Sequence, residues 1–239
     1  RIIKATIFKQ FVGGENIAQC VNTIELLGKF NIGTILDYSV EGSASEKDFD
    51  RCTHEIIATL DHAKNEKHIP FSVFKITGLC RYNLLEKVSA KKKISDEESK
   101  EFDRFRSRVN KICKYAYDCN IPVFIDAEES WIQAAIDDLA NEMMLLYNKR
   151  RAIVFNTFQL YRKDRLSYLK QSFSMAETGN YFLGAKLVRG AYMEKERKRA
   201  HEMNYSSPIQ DKKENTDTDY DAALQFCVDN IGKIAVCAG

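Results

Sequence analysis

The chain is poor in proline and glycine, with 3 and 11 among 239 residues. That scarcity excludes collagen-like and low-complexity disordered classes. No apolar run reaches the ~18 residues that a membrane-spanning helix needs. Charge of one sign is also missing. Lys and Arg number 36 and Asp and Glu 34, for a formal net charge of +2. So near a balance argues against nucleic acid or an anionic membrane as the main partner. The 4 histidines do not combine with the 7 cysteines into a zinc pattern, and no two cysteines have CxxC spacing. The cysteines mostly sit in apolar-patterned segments and read as free, mostly buried thiols of a reducing compartment. Residues 1–4 (RIIK) lack a signal-peptide core and an initiator Met, and the chain stops just after an apolar run. Both ends read as cuts.

What is present is an ordinary globular balance, 44% hydrophobic and 29% charged. Six short apolar or β-branched runs alternate with longer charged stretches. The runs are 33–40 (GTILDYSV), 71–77 (FSVFKIT), 122–126 (PVFID), 152–157 (AIVFNT), 184–189 (GAKLVR) and 233–238 (KIAVCA). Near-continuous apolar runs suit parallel strands buried on both faces, and parallel strands require long connections. Helical periodicity is legible over 15–30, 96–118, 131–147, 165–177 and 220–230. In 96–118, for example, Phe102, Phe105, Val109, Ile112 and Tyr115 share a face opposite a charged one. The segment 88–95 (VSAKKKIS) reads as a solvated, charged insertion. The repeated units predict one α/β domain, as either a doubly wound sheet or a (βα)8 barrel. There is no G-x-G-x-x-G after the first strand and no GxxxxGK[ST] motif, which weakens a dinucleotide or P-loop reading. As a barrel, the chain holds about six of eight strands across residues 1–239, truncated at the C-terminus.

Polar residues cluster where apolar runs end: Asp37, Lys75, Asp126, Asn156 with Gln159, and Lys186 with Arg189. One such residue is ordinarily a buried ion pair or a strand-end hydrogen bond. Five strands sharing the feature point to convergence on the mouth where barrel enzymes place their sites. Lys75, Lys186 and Arg189 suit an anionic substrate, a phosphate or a reduced flavin, and Asp37 and Asp126 oppose part of that charge. Asn156 and Gln159 suit an amide-bearing ring. On residue types alone, a Schiff-base lysine at Lys75 or Lys186 is equally open. Glu129 reads as the acidic first turn of the helix carrying Trp131, with Glu128 nearer the mouth.

Five segments, in order and with matching spacing, carry a resemblance: 74–81 (FKITGLCR), 124–130 (FIDAEES), 154–161 (VFNTFQLY), 184–192 (GAKLVRGAY) and 216–220 (TDTDY). They resemble the proline dehydrogenase family, including the barrel of the proline utilization enzymes, and the wording resembles a single-function member. The resemblance implies a distorted (βα)8 barrel that binds FAD and oxidises L-proline to 1-pyrroline-5-carboxylate, with a quinone taking the electrons. It implies catalytic roles for Asp126 and Lys186 and substrate binding by Lys75 and Tyr192. It implies cofactor contacts from Ala127, Asn156, Lys186, Arg189, Gly190, Ala191, Tyr192 and Thr216, and no metal. Asn156 stands where many members have Gln, and Lys186 where many have Arg. The family's arginine pair and glutamate that clamp the substrate lie beyond Gly239, so the expectation is a chain carrying the cofactor half of a site. Bacterial relatives imply a cytoplasmic enzyme peripheral to the inner membrane, eukaryotic ones a mitochondrial enzyme. The alternatives are a lysine Schiff-base aldolase and a non-catalytic α/β module.

Overall fold

A computed structural model describes residues 13–14, 16–38 and 45–239. Glu15 and residues 39–40 of the expected first helix and strand lie outside them, as do residues 1–4. The elements run α1 (Ile17–Gly28), β1 (Ile35–Asp37), α2 (Glu46–Asn65), β2 (Phe71–Lys75), a 3-10 turn (Ile76–Gly78), α3 (Tyr82–Ser89), α4 (Asp96–Cys119), β3 (Val123–Asp126), α5 (Ser130–Tyr147), β4 (Val154–Gln159), α6 (Arg165–Thr178), β5 (Leu183–Val188), α7 (Met193–Glu202), α8 (Lys213–Asp229) and β6 (Ile234–Ala238).

Helix boundaries follow local chemistry. Asn16 and Ser45 cap α1 and α2 by accepting from the backbone N–H of Gln19 and Asp48. Ser95 and Glu98 form a reciprocal capping box at the start of α4. Asn120, with φ 59°, turns the chain out of α4 in the left-handed conformation that asparagine tolerates. Part of the expected insertion is helical: Val88 and Ser89 belong to α3, and Lys91, with φ 52°, then reverses the chain toward α4.

The sheet has six parallel strands in the order β1-β2-β3-β4-β5-β6. That order separates the two architectures open in the sequence. Right-handed crossovers between consecutive neighbours leave every helix on one face. A doubly wound sheet needs an order reversal to cover both faces, and none occurs here. The two faces differ accordingly. The helix-covered face carries the large core, including Phe74, Ile125, Val154, Phe158, Ala185 and Leu187 packed against α2, α4, α5, α6 and α8. The opposite face carries a small apolar plug of Val73, Phe124, Ala152 and Phe155, with Phe71, Phe182, Ala235 and Cys237 against it. Phe124 stacks on Phe71 at 4.7 Å and meets Phe155 edge-on at 5.4 Å. Gly184 lies on this face because a Cβ there would overlap the Val154 carbonyl and Phe155.

Strand alternation then fixes what stands above the plug. On β2, Phe71 and Val73 share their face with Lys75. On β3, Phe124 shares its face with Asp126. On β4, Phe155 shares its face with Thr157 and Gln159. The polar members of each series come last in the strand, so they converge at one end of the sheet. All seven cysteines are free thiols, four of them buried.

Candidate functional site

At the C-terminal ends of the strands lies a cavity of about 480 Å³. Its charged floor is made by β2, β3 and β5. Lys75 and Asp126 are direct cross-strand partners in the parallel register. The Lys186 ammonium donates to Asp126 Oδ1 at 2.7 Å. The Lys75 ammonium lies 3.5 Å from Asp126 Oδ2 and 3.4 Å from Asp37 Oδ2 on β1. Charges therefore alternate across the mouth: Asp37, Lys75, Asp126, Lys186. Their side chains are only partly covered, 24% exposed at Lys75, 18% at Asp126 and 21% at Lys186. Burial pulls the Lys75 pKa down, but the Asp37 and Asp126 charges outweigh it and hold it above the ordinary lysine value. Beneath, the Lys186 ammonium lies 5.2 Å from the centre of the Phe124 ring.

Small residues form part of the cavity wall. Ala127 follows Asp126, and Gly190 and Ala191 follow β5. Gly190 has φ 141°, and a Cβ there would overlap the Tyr161 ring, so backbone and space both require glycine. Tyr192 lines the cavity, with burial pushing its phenol up. Arg189 reaches the rim, where its guanidinium donates to Asp217 at 2.8 Å and lies 4.5 Å from the Tyr220 ring centre.

Gln159 joins the two loops that form this wall. Its side-chain amide donates to the Glu128 carbonyl at 2.8 Å, and its carbonyl accepts from the Ala191 N–H at 3.2 Å. A buried Gln with both ends engaged fixes the separation of the loops. Glu128 makes a second tie. Its carboxylate accepts from the Thr77 N–H at 3.0 Å and the Thr77 hydroxyl at 2.6 Å, and burial raises its pKa to about 7. Glu129 takes the N-cap position of α5 without capping it; its side chain is buried and pairs with Lys195 at 3.0 Å. From α7, Glu196 reaches the first turn of α5, and Arg199 pairs with Glu86 and lies 4.4 Å from the centre of the Trp131 ring.

The structure gathers Lys75, Asp126, Ala127, Lys186, Arg189, Gly190, Ala191 and Tyr192 around this cavity. Two expected residues fall elsewhere. Asn156 lies on the helix-covered side of β4, fully buried, and its amide donates to Asp137 of α5 at 2.9 Å. Asp137 also accepts from Arg165 at 2.7 Å and Gln133 at 3.0 Å, so Asn156 completes a buried polar network behind the sheet. Thr216 is buried in α8 and does not line the cavity. Thr157 and Gln159 are the β4 residues that do. Phe155 is the signal for them, since two-residue alternation from a buried aromatic places 157 and 159 on its face.

Comparison with known proteins bears on this arrangement. The proline dehydrogenase family model matches residues 20–239. The Dictyostelium discoideum protein "Proline dehydrogenase 1, mitochondrial" is 31% identical over 268 residues, covering 96% of this chain and 47% of its own length. The "Carbapenem antibiotics biosynthesis protein CarD" of Pectobacterium carotovorum subsp. carotovorum is 29% identical over 225 residues, covering 94% of this chain and 59% of its own. This chain thus spans about half the length of the curated relatives it matches. Proline utilization A from Bdellovibrio bacteriovorus, in a crystal structure of the form inactivated by N-propargylglycine, superposes with a TM-score of 0.83 at 17% identity, over 96% of this chain and 25% of that one. Its likeness is one of fold, the distorted (βα)8 barrel expected from the sequence and represented here by six strands. With the family model covering residues 20–239, the chain belongs to the proline dehydrogenase family.

Proposed function

We propose that the protein oxidises L-proline to 1-pyrroline-5-carboxylate with bound FAD, in proline catabolism, and that a quinone is the onward electron acceptor. The observation that carries this reading is the alternating Asp37–Lys75–Asp126–Lys186 row at the barrel mouth of a proline dehydrogenase family member.

The cavity suits a flavin on two grounds. Ala127, Gly190 and Ala191 leave part of the wall free of bulky side chains, and Lys75 and Lys186 set positive charge beside it. Arg189 at the rim is placed for the polar arm of such a cofactor. FAD, when bound, accepts the hydride that leaves proline. The chain's own residues do the rest. Lys75 uses a loosely held N–H to bind the proline carboxylate and set the ring's orientation. Lys186 offsets negative charge that develops beside it. Asp126 holds the Lys186 ammonium on one oxygen and faces the Lys75 ammonium with the other. Gln159 and Glu128 keep the two wall loops at fixed separation. No protein base is needed to start the reaction, since proline binds with its amine neutral, and turnover should rise with pH as that amine deprotonates.

The geometry disfavours a Schiff-base reading. A nucleophilic lysine must be neutral, and Lys75 is held protonated by two carboxylates while Lys186 is hydrogen-bonded to one. The name of the Dictyostelium relative places it in mitochondria, which supports the mitochondrial alternative for this protein. We place contact with a quinone-bearing membrane at its periphery, as for the family; no helix among the described residues is long and apolar enough to cross a membrane. The test is the visible spectrum of the full-length protein. Flavin absorbance that bleaches on anaerobic addition of proline supports the proposal, and a colourless protein, or a yellow one that proline leaves unbleached, refutes it.

A further inference from the structure

We propose that Asp37 is a positioning residue: by sharing the Lys75 ammonium with Asp126 it keeps that ammonium uncommitted between β1 and β3, ready for an incoming carboxylate.

The distances carry the argument. A fully formed ammonium–carboxylate hydrogen bond spans ~2.7–2.9 Å. Lys186 and Asp126 make one at 2.7 Å. Lys75 makes none: its nitrogen hangs 3.4 Å from Asp37 and 3.5 Å from Asp126, nearly equidistant. Two carboxylates on opposite sides pull with similar force, so neither captures the ammonium. Register explains the suspension. Lys75 pairs directly with Asp126 across β2 and β3, while Asp37 is the partner of Val73 and so sits one step further back on β1. Asp37 therefore draws the lysine tip sideways, away from the Lys186–Asp126 pair.

The consequence concerns cost. A lysine fully seated on Asp126 would have to break a good hydrogen bond before meeting a substrate carboxylate. A lysine suspended between two longer contacts gives up little. Without the Asp37 charge, Lys75 closes onto Asp126 and the mouth loses its uncommitted donor. Asp37 does not itself line the cavity, and it acts through Lys75, which does. A Lys75 closed onto Asp126 is also less open to an acylating reagent, which gives a second, independent readout.

The link to turnover rests on the proposed function; the link between Asp37 and Lys75 does not. The experiment therefore has two arms on the full-length, flavin-loaded protein, comparing the parent with Asp37→Asn and Asp37→Glu. The first measures acylation of Lys75 by acetic anhydride at fixed pH, by peptide mass spectrometry, with exposed Lys92 as internal reference. With Asn, Lys75 closes onto Asp126 in a short ion pair, so its labelling should fall about threefold or more while Glu stays near the parent. The second arm measures steady-state proline oxidation. Asn should raise KM about fivefold with kcat within about twofold, the signature of lost uniform binding, and Glu should restore KM.

Unchanged Lys75 labelling in Asp37→Asn overturns the proposal. So does a fall in kcat at constant KM, or a failure of Glu to restore either readout. If Asp37→Asn does not fold, Asp37→Ser removes the charge at smaller volume and serves the same comparison. If the parent does not oxidise proline, the functional reading fails by itself and the labelling arm still decides whether Asp37 holds Lys75.

Discussion

The buried carboxylate of Glu196, on α7, accepts both the backbone N–H and the hydroxyl of Ser130, at 2.6 and 2.7 Å, where α5 begins. A helix leaves its first N–H groups without intrahelical partners. Here the cap comes from another helix, 66 residues along the chain. The loop after β3 and the loop after β5 are thereby held as one body, with the cavity between them.

Replacing Glu196 by Ala should therefore loosen the site as well as the fold. Losing the acceptor leaves two half-buried donors of Ser130 without it, at about 1–3 kcal/mol. Glu196→Gln keeps one acceptor and should lose less. Thermal unfolding ranks the two variants, and flavin retained through gel filtration reports the loop. A Glu196→Ala protein as stable as its parent would show that α5 is capped in another way.

Gly190 admits no side chain. Gly190→Ala places a methyl into the Tyr161 ring at a φ of 141°, which alanine avoids. The loop carrying Arg189 to Tyr192 must shift, and flavin content should fall sharply while the circular dichroism of the helices is preserved. Full flavin occupancy in the variant would rule out the tight fit at this turn.

Lys75→Ala removes the donor offered to the substrate carboxylate. A charge-assisted hydrogen bond of ~1.5–3 kcal/mol corresponds to roughly a 10- to 150-fold fall in kcat/KM for proline. Flavin absorbance should be retained, because the small-residue wall is untouched. Loss of the flavin together with activity would move Lys75 from substrate to cofactor binding.

Glu128 gives stability a pH dependence of known sign. Burial raises its pKa from 4.5 to about 7, so the folded protein binds a proton that the unfolded chain releases. The stabilisation from this group is complete below pH ~4.5 and is lost as pH rises to about 7, by at most roughly 3 kcal/mol. Glu128→Gln abolishes the slope. The Tm of the variant relative to the parent should therefore be more favourable at pH 7.5 than at pH 5. Equal differences at the two pH values would place the Glu128 carboxyl in an ordinary environment.

Phe124 tests the plug under the site. Phe124→Ala removes a ring stacked on Phe71 and edge-on to Phe155 and should destabilise by about 3–5 kcal/mol. The measurement is chemical denaturation, and a change below ~1 kcal/mol would mean that the face collapses freely.

Much of this was legible in the sequence, and the remainder was hidden for physical reasons. The six strands could be read because strands buried on both faces are nearly continuous apolar runs, and Lys75, Asp126 and Lys186 were conspicuous as charges at their ends. Helices α2 and α3 do carry apolar residues at helical spacing, such as Phe49, Cys52, Ile56, Leu60 and Ala63, and went unread, whereas α7 buries few apolar residues. Arg199 and Glu196 pack into tertiary contacts, so the inward face of α7 is itself charged. Asn156 looks like a mouth residue by type alone, before side-chain direction is considered. Counting by twos from Phe155 assigns the cavity to Thr157 and Gln159 and leaves Asn156 for Asp137. The ties made by Glu128, Gln159 and Glu196 join residues far apart in the chain, and no local pattern announces them.

Strand order in this sheet equals chain order. Among the described strands, each neighbour is thus the one before or after it in sequence. The entropic cost of loop closure grows only slowly with loop length, so successive pairings carry similar penalties. Assembly can therefore advance one βα unit at a time from any nucleus, and the charged row at the mouth forms as a by-product of that progression. The Lys75–Asp126 contact requires only β2 and β3, whereas the Lys186–Asp126 contact must await β5. If refolding nucleates at β2 and β3, time-resolved labelling would find Lys75 protected before Lys186.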